Sequence, residues 1–154
     1  SGIDGLITAC DAGRITVVAS TIVQIEVLDF FLNEEHKERF RGFLNRDNVG
    51  VASVDRHTAE LAHEIRSYYA ATPPTVSTPD AIHLATAIAY NCEHFYTLDG
   101  TGTKKAGRKK DLKLLLIQGK ICGKYRLNIT VPRADQLVIA ATPDEESEID
   151  EEET

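Results

Sequence analysis

The sequence predicts an α/β fold, a three-layer sandwich in which a mostly parallel central sheet is flanked by helices. Two observations lead there. Short β-branched runs, too brief for helices, recur along the 154 residues, and stretches with helical apolar spacing separate them. Strands joined through helices pair in parallel and need cover on both faces.

In chain order, Ile3 to Ala12 reads as a helix, with Gly13 as its C-cap. "ITVVAS" is a strand bounded by Ser20 and Thr21. "TIVQIEVLDFFLNEEHKERFRGFLNRD" predicts two helices broken near Asn33, and "VGVASV" a second strand. "DRHTAELAHEIRSYYAAT" is an amphipathic helix that turns Ala59, Leu61, Ala62, Ile65 and Tyr68 or Tyr69 to the core. After the loop "TPPTVS", Thr78 is the expected N-cap, with Pro79 at the first helical position of "DAIHLATAIA". "HFYTLD" is a strand, "GTGTKKAGRKK" a basic loop, "DLKLLLIQG" a helix and "LNITV" the last strand.

The chain carries a net charge of −7, but eight of its 24 acids fall between Asp144 and Glu153. Without that tail, 17 basic residues face 16 acids, a net +1. Residues 1–142 read as one domain, and 143–154 as a disordered acidic tail. Thr103 to Arg126 holds nine Lys or Arg against the single acid Asp111, a local +8. Such a patch is either a solvated surface or a phosphate-binding one. The three cysteines, Cys10, Cys92 and Cys122, are widely spaced and form no C-x-x-C pair, so reduced fillers are expected rather than a disulfide framework or a zinc site. No apolar run reaches 18 residues and no signal-peptide pattern opens the chain, so a soluble, cytoplasmic protein is expected.

Ligands of open parallel sheets bind beyond the carboxyl ends of the strands. Three acids fall in that region: Glu26 after "ITVVAS", Asp80 in the first turn of its helix, and Asp99 at the end of "FYTLD". Carboxylates gathered from separate elements repel, and a hard divalent cation, Mg2+ or Mn2+, offsets the repulsion. Each acid also has a plainer role. Asp80 favours the helix dipole, Asp99 starts an Asp-Gly turn, Glu26 faces water, and His83, one turn after Asp80, packs or is solvated. "GTGTKKAG" does not fit a nucleotide-binding P-loop.

The stretch "TPDAIHLATAIAYNCEHFYTLD", with "STIVQIEVL" upstream, closely resembles the PIN domain family over most of Ile3 to Arg133. The resemblance implies a compact α/β sandwich acting as a Mg2+- or Mn2+-dependent ribonuclease, often the toxin of a bacterial toxin–antitoxin pair. It makes Glu26, Asp80 and Asp99 the metal ligands. Thr97 would orient a metal-bound water or a ligand carboxylate, and Lys104, Lys105, Arg108, Lys109 and Lys110 would hold the backbone of single-stranded RNA. An antitoxin protein and a homodimer are the further partners expected. Two departures bear on activity. The family opens with a strand ending in an Asp, whereas only Ser1 and Gly2 precede the first helix here, and Gly100 to Thr103 lack a further acid that many members carry. A fragment or degenerate member with feeble activity is therefore expected, and the alternative function is an inactive scaffold binding RNA or a protein.

Overall fold

The computed structural model describes residues 2–28, 33–71, 75–97 and 114–133. Their order is α1 (Gly2–Asp11), β1 (Val17–Ser20), α2 (Val23–Val27), α3 (Glu34–Leu44), β2 (Val49–Ala52), α4 (Arg56–Ala70), α5 (Thr78–Ala89), β3 (His94–Tyr96), a 3-10 turn (Leu114–Ile117), β4 (Gly119–Ile121) and β5 (Tyr125–Thr130). The fold is α/β, a helix-flanked sandwich of mostly parallel strands as the sequence predicts.

The described strands form two hydrogen-bonded pieces. β1 pairs in parallel with β2, from Val17 opposite Val49 to Ser20 opposite Ala52. β3 pairs in parallel with β5, which pairs in turn with β4. The core is divided in the same way. One cluster gathers Leu61, Ile65, Leu84, Ile121, Leu127 and Ile129 around α4 and α5, and the other gathers Cys10, Leu44 and Val49 with Ile15, Val17, Phe40 and Phe43 around them. α5 spans the division, packing on α4, β1, β3 and β5.

Local chemistry explains the helix starts. Asn33 caps α3 by accepting from the His36 N–H at 2.9 Å, and Asp55 caps α4 by accepting from Thr58 N–H at 2.8 Å. The break expected near Asn33 is thus a cap. At α5 the cap is Ser77, not Thr78: Ser77 is extended and its Oγ accepts from Asp80 N–H at 3.3 Å, while Thr78 is already the first helical residue. Two adjacent hydroxyl residues qualify on composition, and the extended backbone at Ser77 decides between them. Ser77→Ala is expected to cost about 1 kcal/mol of stability and Thr78→Ala clearly less, read from denaturant unfolding midpoints.

Three other expectations are corrected. On α4, Thr58 is buried and Ala59 exposed, so the buried stripe runs Thr58, Leu61, Ala62, Ile65; of the two tyrosines left open by the sequence, Tyr69 packs on the core, as expected of one of them. "LLLI" forms a 3-10 turn, with Leu114 buried and Leu116 72% exposed. Strand β4 was not foreseen, and β4 and β5 join as an antiparallel hairpin without a helix between them. Its turn places Cys122 and Gly123 at positive φ, with Lys124 N–H donating to the Ile121 carbonyl at 3.1 Å. The hairpin is tied to α4: Tyr125 donates to Glu64 at 2.8 Å, Lys124 pairs with Glu64, and Cys122 N–H donates to the Tyr69 hydroxyl at 3.0 Å. The Lys124 hydrogen bond is the main cause that holds the Glu64 carboxyl below its usual range. All three cysteines are free thiols, with Cys10 and Cys122 buried and Cys92 half-buried.

Candidate metal-dependent nuclease site

The connection from α5 to β3 is tight. Asn91 adopts φ 52°, and Cys92 N–H donates back to the Ala87 carbonyl at 2.9 Å, so the chain reverses into β3. That reversal runs β3 back along α5, and Asp80 near the start of the helix and Thr97 after the strand line one cavity. Asp80 sits in the first turn of α5, half-buried, its own N–H capped by Ser77. At the end of β3, Thr97 N–H donates to the Thr130 carbonyl at 3.0 Å and carries the ladder one residue past the strand.

Glu26 arrives from the other half of the molecule. It lies on α2, directly after β1, and its Oε2 is 2.5 Å from His83 Nε2. An ionised carboxylate only accepts, so the imidazole nitrogen donates. His83 lies three residues after Asp80, which places the two on one helix face, neighbours at about 5–6 Å between Cβ atoms. The Glu26 contact therefore draws a carboxylate from the β1 half to within one helical turn of Asp80. The histidine side chain is 20% exposed and the Glu26 side chain 42%. Sequence reading gave His83 a packed or solvated role; its only signal was the Asp80 spacing, because the partner is 57 positions away.

Glu26, Asp80, His83 and Thr97 all line one cavity of about 1510 Å³, with Ser20 and Thr86 among its other polar residues. Asp99 and the basic residues Lys104, Lys105, Arg108, Lys109 and Lys110 lie outside the described residues. Of the four residues predicted for the catalytic group, Glu26, Asp80 and Thr97 line this cavity.

Residues 6–108, more than half of the chain, match the PIN domain family. The chain belongs to the PIN domain family. No curated protein and no solved structure matches it. Nuclease activity is the general function of PIN domains, and they generally use divalent metal ions. The donors present suit such an ion in kind, since the Glu26 and Asp80 carboxylates on one cavity are hard oxygen ligands of the type Mg2+ and Mn2+ prefer. Among the described residues no group of three or more His, Cys, Asp or Glu side chains stands ready to hold a metal. Among the described residues, no helix is long and apolar enough to cross a membrane.

Proposed function

We propose that this PIN domain is a Mg2+- or Mn2+-dependent endoribonuclease that hydrolyses single-stranded RNA in the cytoplasm, as the toxin of a toxin–antitoxin pair. The observation that carries the reading is the convergence of Glu26 and Asp80, from the two halves of the molecule, on one cavity at the strand ends. Glu26 and Asp80 would hold the cation together with Asp99. Such an ion supplies a nucleophilic water at neutral pH and neutralises charge growing on the scissile phosphate.

The chain's own residues do the positioning. His83 fixes the direction of the Glu26 carboxylate through its Nε2. Ser77 caps α5, so the helix end that presents Asp80 is held in place. Thr97, anchored to Thr130 through its backbone, presents its side chain at the end of β3. Lys104, Lys105, Arg108, Lys109 and Lys110 would hold the RNA backbone by charge, which fixes position without reading sequence.

Labelled single-stranded RNA incubated with the protein and Mn2+ tests the reading. Cleavage that stops on chelation supports it, and intact RNA at every Mn2+ concentration overturns it. A second reading, an inactive scaffold that binds RNA or a protein through the same cleft, draws on Gly100 to Thr103, which lack the further acid that many family members carry. RNA that binds without being cut is its signature.

The acidic tail has a testable place in either reading. Its eight acids compete with RNA for the nine basic residues of 103–126. Deleting residues 144–154 is therefore expected to tighten RNA binding, most of all at low salt, where charges act beyond about 10 Å. An affinity unchanged at every ionic strength would leave the tail no role in RNA binding.

A further inference from the structure

Strands β3, β5 and β4 form a sheet with two unlike faces. Side chains alternate along a strand, so one face takes Phe95, Ile121, Leu127 and Ile129, which pack into the core of α4 and α5. The other takes His94, Lys120, Arg126 and Asn128, all exposed. Parallel strands buried under helices on both sides read as continuous apolar runs. "YRLNIT" of β5 instead alternates, with Leu127 and Ile129 buried and Arg126 and Asn128 turned outward.

The register sets the outward residues side by side. Lys120 on β4 stands opposite Arg126 on β5, and His94 on β3 opposite Asn128 on β5. Neighbouring strands lie about 4.8 Å apart and alternate residues of one strand about 6.6 Å apart, so the four form one patch. They line a polar cleft of about 650 Å³, on which Glu93 is the one acid among the described residues. Lys124 is paired with Glu64, whereas Lys120 and Arg126 have no acid partner among the described residues. The patch also has rings: His94 lies 6.0 Å, centroid to centroid, from Tyr96 on the same strand. One residue beyond Tyr96 is Thr97, on the cavity with Glu26 and Asp80. From His94 to Thr97 is about 10 Å along the strand, so the face leads from the basic pair to the end of β3 where the acids lie.

We infer that the outward face of the β3-β5-β4 sheet is a platform for the part of a single-stranded RNA that flanks the cut. Lys120 and Arg126 hold its phosphates, His94 stacks against a base, and the strand leads on past Tyr96 and Thr97 to the acids. Unpaired cations beside an exposed ring complement both parts of a single strand, the charged backbone and the open bases, without reading sequence. An acidic peptide would answer the cations and leave the ring unused. The choice of RNA rests on the ribonuclease reading, so the test measures binding apart from cleavage.

Fluorescence anisotropy of a labelled single-stranded RNA in EDTA compares the full chain with three variants: Lys120→Gln combined with Arg126→Gln, His94→Ala, and Arg66→Gln as an exposed control on α4. Loss of the two cations is expected to weaken binding at least about tenfold and to flatten the slope of log affinity against log salt by about 1.4, at about 0.7 for each phosphate contact. His94→Ala is expected to weaken binding about fivefold or more with the slope unchanged. Arg66→Gln is expected to do neither, and all three variants should unfold at the natural midpoint, because the replaced side chains are exposed. Natural affinity in the double variant overturns the platform, as does an equal loss from Arg66→Gln, which would reduce the effect to net charge. Full affinity in His94→Ala removes the stacking on which the choice of RNA rests, and polyglutamate bound as tightly as RNA would assign the face to an acidic peptide instead. RNA that binds through these residues but is not cut with Mn2+ leaves the platform standing and the nuclease reading overturned. Robust cleavage with natural affinity in the variants does the reverse, and no RNA binding by the natural chain overturns both.

Discussion

Asp80→Asn is expected to abolish divalent-dependent RNA cleavage, by about 10²-fold or more, while the protein keeps its fold. The substitution preserves shape and removes one of the two carboxylate charges that the cavity gathers from α5 and α2. Less charge at the site weakens the hold on a cation and loosens the geometry of attack, where a displacement of about 1 Å costs roughly 10²-fold in rate. Stability separates this role from the plainer one. As a helix-dipole residue alone, Asp80 would contribute about 0.3–1 kcal/mol to folding and nothing to cleavage. Relief of repulsion among the acids offsets part of that loss, so the unfolding midpoint is expected to move little. Paired measurements of cleavage rate and unfolding check the claim; full cleavage with lowered stability would reduce Asp80 to a dipole residue.

The largest stability effect is expected at Leu84. This side chain is 0% exposed, in the cluster that joins α4 and α5 to Ile121, Leu127 and Ile129. Truncation to alanine removes buried methyl groups and leaves a cavity, at a cost of about 2–5 kcal/mol. Domains have only about 5–15 kcal/mol in all, so that is a large share. The loss reaches the site as well, because α5 carries Asp80 and His83 and is the helix that packs on β1, β3 and β5. Leu84→Ala is thus expected to shift the denaturant midpoint downward. Substituting the exposed Ala59 by serine should leave it nearly unchanged.

How much of this was legible in the sequence depends on the range of the interactions that decide each feature. α4 and α5 were readable because apolar spacing and capping residues act within a few positions, and errors there were local. Thr58 is buried where Ala59 was expected because the helix face is set by Leu61, Ala62 and Ile65 together. Ser77 takes the cap from Thr78 by its extended backbone. β4 was missed because "GKI" is three residues long and is made a strand by its partner, through a turn that holds Cys122 at positive φ, which a non-glycine residue seldom adopts. The acids Glu26 and Asp80 were singled out in the sequence because they fall near the carboxyl ends of strands. Their linkage through His83 was not, because nothing local to α2 or α5 reveals a contact across 57 positions. The division of the sheet is likewise a property of pairing between distant strands.

The account rests on Glu26 and Asp80 forming one cation site, and calorimetric titration of the full chain with Mn2+ tests that most directly, beside a double variant carrying Glu26→Gln and Asp80→Asn. The account predicts a saturable binding heat for the natural chain that is abolished in the folded double variant. No binding by the natural chain, or equal binding by both proteins, would contradict it.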